Sequence, residues 1–258
     1  MKNYLMKKYG GELIFQESDE HGVIEVVEYK KVIRSMHFGN ETQQSGMYLY
    51  DSTRLLHPYT QAMLSVTALQ EPERVLVLGV GGGSLIKFLL HHFHSAVIDA
   101  VDLRQAVINV AHEYFDMPMN NYRLSFHVTD FRNYLIAANN QRRLYDLILI
   151  DLFSADEDGN IIIGLDEHIK SIKSLLGDNG MMAINILDGN IDALSCLNEL
   201  KTLFAGTVYE IPVDGVNTIA LATKNVLNDF PSEVEFQYYE TKHMLSARKF
   251  LDHLCRIG

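Results

Sequence analysis

Cysteine is nearly absent from this chain. Only Cys196 and Cys255 occur among 258 residues. Two thiols so far apart form no spaced framework, and their pattern is that of reduced thiols in a cytoplasmic protein. Long apolar runs are missing too. None approaches the length of a bilayer span, so no membrane partner is expected. Met1 to Phe15 carries lysines but no sustained apolar region, which argues against a secretory signal. Positive charge is in deficit: 22 Lys and Arg stand against 33 Asp and Glu, a net charge of -11. Nonspecific binding to phosphate backbones needs clustered Lys and Arg, so no nucleic-acid partner is expected. Ordinary solubility accounts for the acidity, and a cationic substrate is compatible with it. No Ser-His-Asp or activated-cysteine arrangement is legible. His91, His92 and His94 have no Cys or His pair spaced to complete a metal site, so they are read as histidines at a helix C-terminus and no metal is expected.

What is present is an apolar fraction of 47%. It supports a sizeable core in one large domain, or one domain with a small appendage. The organising stretch is R-V-L-V-L-G-V-G-G-G-S-L-I-K-F-L-L, from Arg74 to Leu90. Val75 to Leu78 is apolar and rich in β-branched residues, which suits a strand buried on both faces. Gly79, Gly81, Gly82 and Gly83 follow, letting the backbone bend tightly and approach a ligand. Ser84 is placed to cap a helix whose Leu85, Phe88 and Leu89 recur at helical spacing. Strand, glycine turn and helix N-terminus together make a nucleotide-type site.

Upstream, Glu12 to Gln16, Val23 to Tyr29 and Val32 to Phe38 read as strands of a small antiparallel element, with Asp19 to Gly22 and Lys30-Lys31 as turns. Gly39 to Gln44 reads as loop, and Leu55 to Leu69 as a helix with Pro58 near its start. Downstream, strands at 96–101, 124–128, 146–151 and 181–187 alternate with helices at 105–115, 131–138, 165–176 and 191–204. Two last strands, 207–212 and 217–223, are joined by Asp214-Gly215, a hairpin signal. The tail is helical from about Glu240. This alternation predicts a doubly wound α/β sheet, mostly parallel, with an antiparallel edge. The expected division is a small N-terminal β domain, 1–56, and a Rossmann-like domain, 57–258.

Three acids end three successive predicted strands. Asp102 lies about twenty residues after the glycines, where a carboxylate can accept both hydroxyls of a ribose, or cap the helix at Gln105. Asp130, followed by Phe131, can face an adenine, or cap its own helix. Asp151 ends the fourth strand. Carboxyl ends of parallel strands are where open α/β sheets bind ligands. A nicotinamide fingerprint fits less well, because Ser84 stands where its third glycine belongs.

These segments, with A-H-E-Y-F at 111–115, T-D-F at 129–131, Y-D-L-I-L-I-D at 145–151, G-D-N-G at 177–180 and I-N-I at 184–186, resemble the spermidine synthase-like proteins of the class I methyltransferase fold. The resemblance extends upstream through R-S-M-H-F-G at 34–39, Q-S-G-M at 44–47 and Y-T-Q-A-M at 59–63, covering roughly residues 23 to 223. It implies a transferase that takes decarboxylated S-adenosylmethionine, or S-adenosylmethionine itself, as co-substrate. On matching positions it implies that Gln44, Gly79, Gly81, Gly82, Gly83, Asp102, Leu103, Asp130 and Phe131 hold the donor. Tyr59, Gln61 and Asp156 would face the acceptor, and Asp151 with Ser154 would occupy the catalytic positions. A homodimer is compatible with it.

The chain departs from the family's acidic pattern. Gly82 stands where the glycine loop usually carries an Asp that meets the donor's amino group. Ser154 replaces the second of two acids after the fourth strand. Thr60-Gln61 replaces an acid-bearing pair. A protonated amine, with a pKa near 10, has no lone pair, and carboxylates both bind it and help remove its proton. Asp156, Glu157 and Asp158 follow closely; one could compensate, or all could be solvated. Three readings therefore stay open: aminopropyl transfer to a polyamine, methyl transfer to another small acceptor, and nucleoside binding without catalysis.

Overall fold

The computed structural model describes residues 6–152, 164–187 and 191–257. Ser154 and Asp156 lie outside the described residues, as do Glu157 and Asp158.

The N-terminal sheet is a six-stranded antiparallel meander: β1 (Lys7–Lys8), β2 (Gly11–Asp19), β3 (Gly22–Tyr29), β4 (Ile33–His37), β5 (Ser45–Tyr48) and β6 (Asp51–Leu55), hydrogen-bonded in that order. The predicted Lys30-Lys31 turn is present. Both residues take positive φ, 48° and 56°, and Val32 N–H donates to the Tyr29 carbonyl. Three strands, β1, β5 and β6, have no counterpart in the sequence pattern. The helix expected from Leu55 begins at Pro58 instead, as α1 (Pro58–Ser65), and runs into a 3-10 turn (Val66–Ala68).

The second sheet contains β7 (Arg74–Leu78), β8 (Val97–Asp102), β9 (Leu124–Val128), β10 (Tyr145–Ile150), β11 (Leu176–Leu187), β12 (Val208–Val213), β13 (Asn217–Thr223) and β14 (Cys255–Arg256). Its order is β14-β12-β13-β11-β10-β7-β8-β9. β7 to β11 are mutually parallel, and β13, β12 and β14 add an antiparallel edge. The glycine-flanked strand β7 is thus interior, between β10 and β8. This is the class I methyltransferase-like arrangement expected from the sequence.

Helices α2 (Ser84–His92), α3 (Gln105–Tyr114), α4 (Phe131–Asn140), α5 (Ile169–Lys173), α6 (Ile191–Leu203), α7 (Glu233–His243) and α8 (Ala247–Leu251) cover the sheet. Side-chain alternation divides the core. Val75, Val77, Leu147 and Leu149 pack with residues of α1, α2 and α8. Leu76, Leu78, Ile148 and Ile150 pack with α4, α5 and α6. Burial on both faces explains why β7 and β10 are apolar throughout rather than alternating.

A third cluster joins the sheets: Ile24, Val26, Met36 and Met47 pack against Val107, Val110 and Phe115. Arg104 reinforces it with a bidentate bond to Asp19, at 3.0 and 2.8 Å, and a bond to the Gly22 carbonyl at 2.9 Å. The N-terminal sheet is thereby held against the carboxyl side of β8, which is where the site lies.

Candidate active site

The chain runs outward from β7 to β8 and β9 on one side, and to β10 and β11 on the other. The connections leaving β7 and β10 therefore diverge and open a crevice at their carboxyl ends. The glycine turn fills the β7 side. Gly79, with φ +93°, lies so close to β10 that a Cβ there would be 2.1 Å from the Asp151 carbonyl oxygen. Only glycine fits, in conformation and in space. Helix α2 starts after Gly83, which is left-handed at φ 72° and occupies the N-cap position. The expected cap, Ser84, instead sits inside the helix and donates its hydroxyl to the Gly46 carbonyl at 3.1 Å. That bond ties the loop to β5.

Asp102 ends β8 and pins the glycine turn. Its Oδ2 accepts from Val80 N–H and its Oδ1 from Arg104 N–H, each at 2.9 Å. Burial pushes its carboxyl pKa up, and the N–H groups of Arg104, Val80 and Gly81 oppose that shift. A carboxylate has about four lone-pair sites, so these bonds leave capacity for a ligand's hydroxyls. Leu103 beside it is exposed. The Asp102 carbonyl accepts from Thr129 N–H at 3.0 Å, which brings the start of α4 next to it. There Asp130 caps α4, accepting from Arg132 N–H at 2.8 Å. Phe131 is 8% exposed and belongs to the core under α4, with its ring edge against His168.

Ser45, the first residue of β5, and Gln44 just before it face the glycine turn. A Cβ on Gly81 would lie 3.4 Å from Ser45 Cβ and 3.9 Å from the Gln44 carbonyl. Gln44 Nε2 is buried and has no hydrogen-bond partner among the described residues. Gly82 is enclosed: a Cβ there would meet Ser45 Oγ at 2.8 Å and the Phe115 ring at 2.9 Å. Gly83 is covered in the same way by Met117.

Across the crevice, Asp151 is the centre of a polar chain. Tyr59 hydroxyl donates to its Oδ2 at 3.2 Å, and Asn185 Nδ2 donates to its Oδ1 at 2.8 Å. Asn217 Nδ2 in turn donates to Asn185 Oδ1 at 2.8 Å. Burial raises the Asp151 pKa, while the Asn185 and Tyr59 bonds favour its anion. Burial and the adjacent carboxylate raise the Tyr59 pKa well above the usual phenol range. Gln61, expected on the acceptor side, donates its Nε2 to the Leu55 carbonyl at 3.1 Å.

The structure thus gathers the four glycines, Gln44, Asp102, Tyr59 and Asp151 around one crevice. Ser45, Phe115, Asn185 and Asn217 complete it, and sequence reasoning had missed them as site residues. Of these, Ser45, Phe115 and Asn185 carried a signal, the Q-S-G-M, A-H-E-Y-F and I-N-I segments. Among the described residues, no group of three or more His, Cys, Asp or Glu could hold a metal ion. Nor is any helix there long and apolar enough to cross a membrane.

Residues 56–191 match the model of the spermine/spermidine synthase domain. A polyamine aminopropyltransferase from Chromobacterium violaceum is 31% identical over 193 residues, 73% of this chain and 71% of its own. A human eEF1A lysine and N-terminal methyltransferase is 29% identical over 149 residues, 53% of this chain but only 21% of its own. A probable spermidine synthase from Corynebacterium glutamicum superposes with a TM-score of 0.70 at 17% identity, covering 88% of this chain and 86% of its own; it shares the fold.

Proposed function

The chain belongs to the spermine/spermidine synthase family, and on that premise we propose that it is a transferase moving an alkyl group from an S-adenosylmethionine-type donor to a small amine acceptor. The glycine turn and Asp102 hold the donor's nucleoside, with the carboxylate accepting from the ribose hydroxyls. Gln44 Nε2, buried without a partner among the described residues, supplies a donor hydrogen bond on the opposite wall. Asp151 receives the acceptor's cationic nitrogen and orients it, its carboxylate held by Tyr59 and Asn185. Once deprotonated, the acceptor nitrogen attacks the carbon on the sulfonium, the carbon–sulfur bond breaks, and sulfur leaves as a neutral thioether. Holding the two reactants in line supplies much of the acceleration.

The observation that carries the choice of donor is the enclosure of Gly82 by Ser45 and Phe115. An acid at this position would attract a terminal ammonium and repel the carboxylate of ordinary S-adenosylmethionine. Its absence removes that discrimination, a like-charge effect worth several kcal/mol across a desolvated contact. This supports S-adenosylmethionine as the donor and methyl as the group transferred. Calorimetry with S-adenosylmethionine, its decarboxylated form and methylthioadenosine tests it. S-adenosylmethionine should bind at least as tightly as the decarboxylated form. A clear preference for the decarboxylated form would instead favour aminopropyl transfer to a polyamine, the activity that the Chromobacterium relative's name carries.

A further inference from the structure

Asp151 has no cationic partner among the described residues, so its charge depends on neutral ones. Burial raises its pKa, and only the Asn185 and Tyr59 bonds oppose that shift. Tyr59 can only be a donor here, because burial and the neighbouring carboxylate keep its proton on. Behind it, His57 stacks on the Tyr59 ring, with centroids 5.7 Å apart, and packs against Gly46. Burial lowers the His57 pKa below the usual histidine value, so no cation faces Asp151 from that side at neutral pH.

Asn185 differs from Tyr59, because an amide can turn either end to its neighbour. Its N–H favours a carboxylate, and its carbonyl favours the protonated acid. The choice is made at the far end of the amide. Asn217 Nδ2 donates to Asn185 Oδ1 at 2.8 Å, which leaves Asn185 Nδ2 to face Asp151, also at 2.8 Å. The backbone brings Asn217 there. β13 pairs with β11 so that Asn185 lies opposite Ile219, and Leu187 opposite Asn217. Asn185 and Asn217 are therefore diagonal neighbours on one face of the sheet, within reach of each other. It is the face that α1 covers: Met181, Ala183 and Ile219 share a cluster against which Tyr59 packs. Asn217 opens β13 directly after the Asp214-Gly215 turn, paired with Val213 across the hairpin.

Resting on the transferase reading above, we propose that Asn217 is a positioning residue for Asp151: it holds the Asn185 amide with its N–H toward the carboxylate, so that the acid meets the acceptor's nitrogen as an anion. Asn217 acts only through Asn185. Without the Asn217 N–H, Asn185 Oδ1 loses its partner and the amide is free to turn. Its carbonyl then accepts from a protonated Asp151, and the acid binds its proton more tightly. Hydrogen bonds in a chain also polarise one another, so the Asn217 bond strengthens the one that Asn185 makes to the carboxylate. A residue needed only to close the β12–β13 hairpin would leave the ionisation of Asp151 unaffected.

The test is carbon NMR of the full chain carrying 13C-labelled aspartate side chains, titrated with acid and base. The Asp151 carboxyl resonance is assigned from its loss in Asp151→Asn. In Asn217→Leu, or Asn217→Ala should the first variant not fold, the Asp151 midpoint should rise by about one pH unit, a tenfold gain in proton affinity. Asn185→Leu should raise it at least as far. Adding Asn217→Leu to Asn185→Leu should then raise it no further, since the two residues act in series. An unchanged midpoint in the folded Asn217 variants overturns the proposal. So does an equal rise with and without Asn185, which would mean that Asn217 acts by another route. Calorimetry of S-adenosylmethionine on the unmodified chain keeps the two layers apart. Absent binding there would count against the transferase reading, while the carboxyl titration, which needs no ligand, would still decide the role of Asn217.

Discussion

The buried ammonium of Lys87 donates to the main-chain carbonyl of Phe115 at 2.5 Å, and the ring of that same Phe115 closes off Gly82. One side chain of α2 thereby fixes the residue that shapes the donor loop. Lys87 is only 4% exposed. Burial pushes its pKa down to about 8, with Asp116 opposing the shift.

That depressed pKa has a measurable signature. Between pH 8 and 10.5 the folded chain has released the Lys87 proton while the unfolded chain still binds one, so stability should rise with pH across that window. The rise is at most ~3 kcal/mol, since each tenfold difference in proton affinity between the two states is worth roughly 1.4 kcal/mol. Lys87→Met should abolish this component. Denaturant unfolding of both proteins at several pH values checks it; parallel pH profiles would place Lys87 at its ordinary pKa.

Asp102→Ala should weaken binding of adenosyl ligands by about 1–3 kcal/mol, the usual cost of losing a hydrogen bond to a charged group. The structure adds a second effect. The variant also frees the N–H groups of Val80 and Arg104, so thermal stability should fall with it. A folded variant with unchanged calorimetric affinity would remove Asp102 from the site.

Asp151→Asn should lower turnover more than donor binding, because the side chain faces Tyr59 and Asn185 rather than the glycine turn. The variant keeps the shape but loses the anion that orients a cationic nitrogen. Steady-state rates beside calorimetric donor affinities separate the two. Full turnover with an amine acceptor would make Asp151 structural.

Acid should loosen the end of α2 and helix α7. His92 and His243 lie 5.4 Å apart, and burial lowers each to about 4. His91 and His94 add to the shift at His92 and Asp51 opposes it, while Lys242 adds to that at His243. Below pH 6.5 the unfolded histidines take up protons that the folded ones refuse, so stability should fall as pH drops to about 4, by at most ~3 kcal/mol for each histidine. His243→Phe, which retains an aromatic ring stacked on Phe93, should flatten the decline in urea titrations from pH 7 to 4.

Local signals were the readable ones. β7, its glycine turn and α2 are contiguous, and so is the β12–β13 hairpin, whose Asp214 and Gly215 take the positive φ that the pair implied. Elements set by distant pairing were not legible. β5 contains Gly46 and lies between two turns, and it is a strand because β4 and β6 bond to it. β14 is two residues that pair with β12. Helix α5 stops at Lys173 and β11 begins at Leu176, five residues earlier than periodicity suggested, because Tyr145 pairs with Leu176 before the register shifts. In the site, the three strand-end acids could be found from spacing. The partners of Asp151 could not: Asn217 reaches it through Asn185, 32 residues away in sequence. Likewise nothing near His57 in sequence announces that Gly46 and Tyr59 will enclose its ring.

Gly82 has an evolutionary corollary. A side chain there would strike Ser45 of β5 and Phe115 beyond α3, and overpacking of this kind typically costs about 1–3 kcal/mol. Installing an aspartate alone would therefore be penalised before any new preference could be selected. An aspartate at position 82 would have to displace one or both of those side chains. The tolerance of this position for a side chain is thus a joint property of the turn, β5 and the end of α3, set by Ser45, Gly82 and Phe115 together.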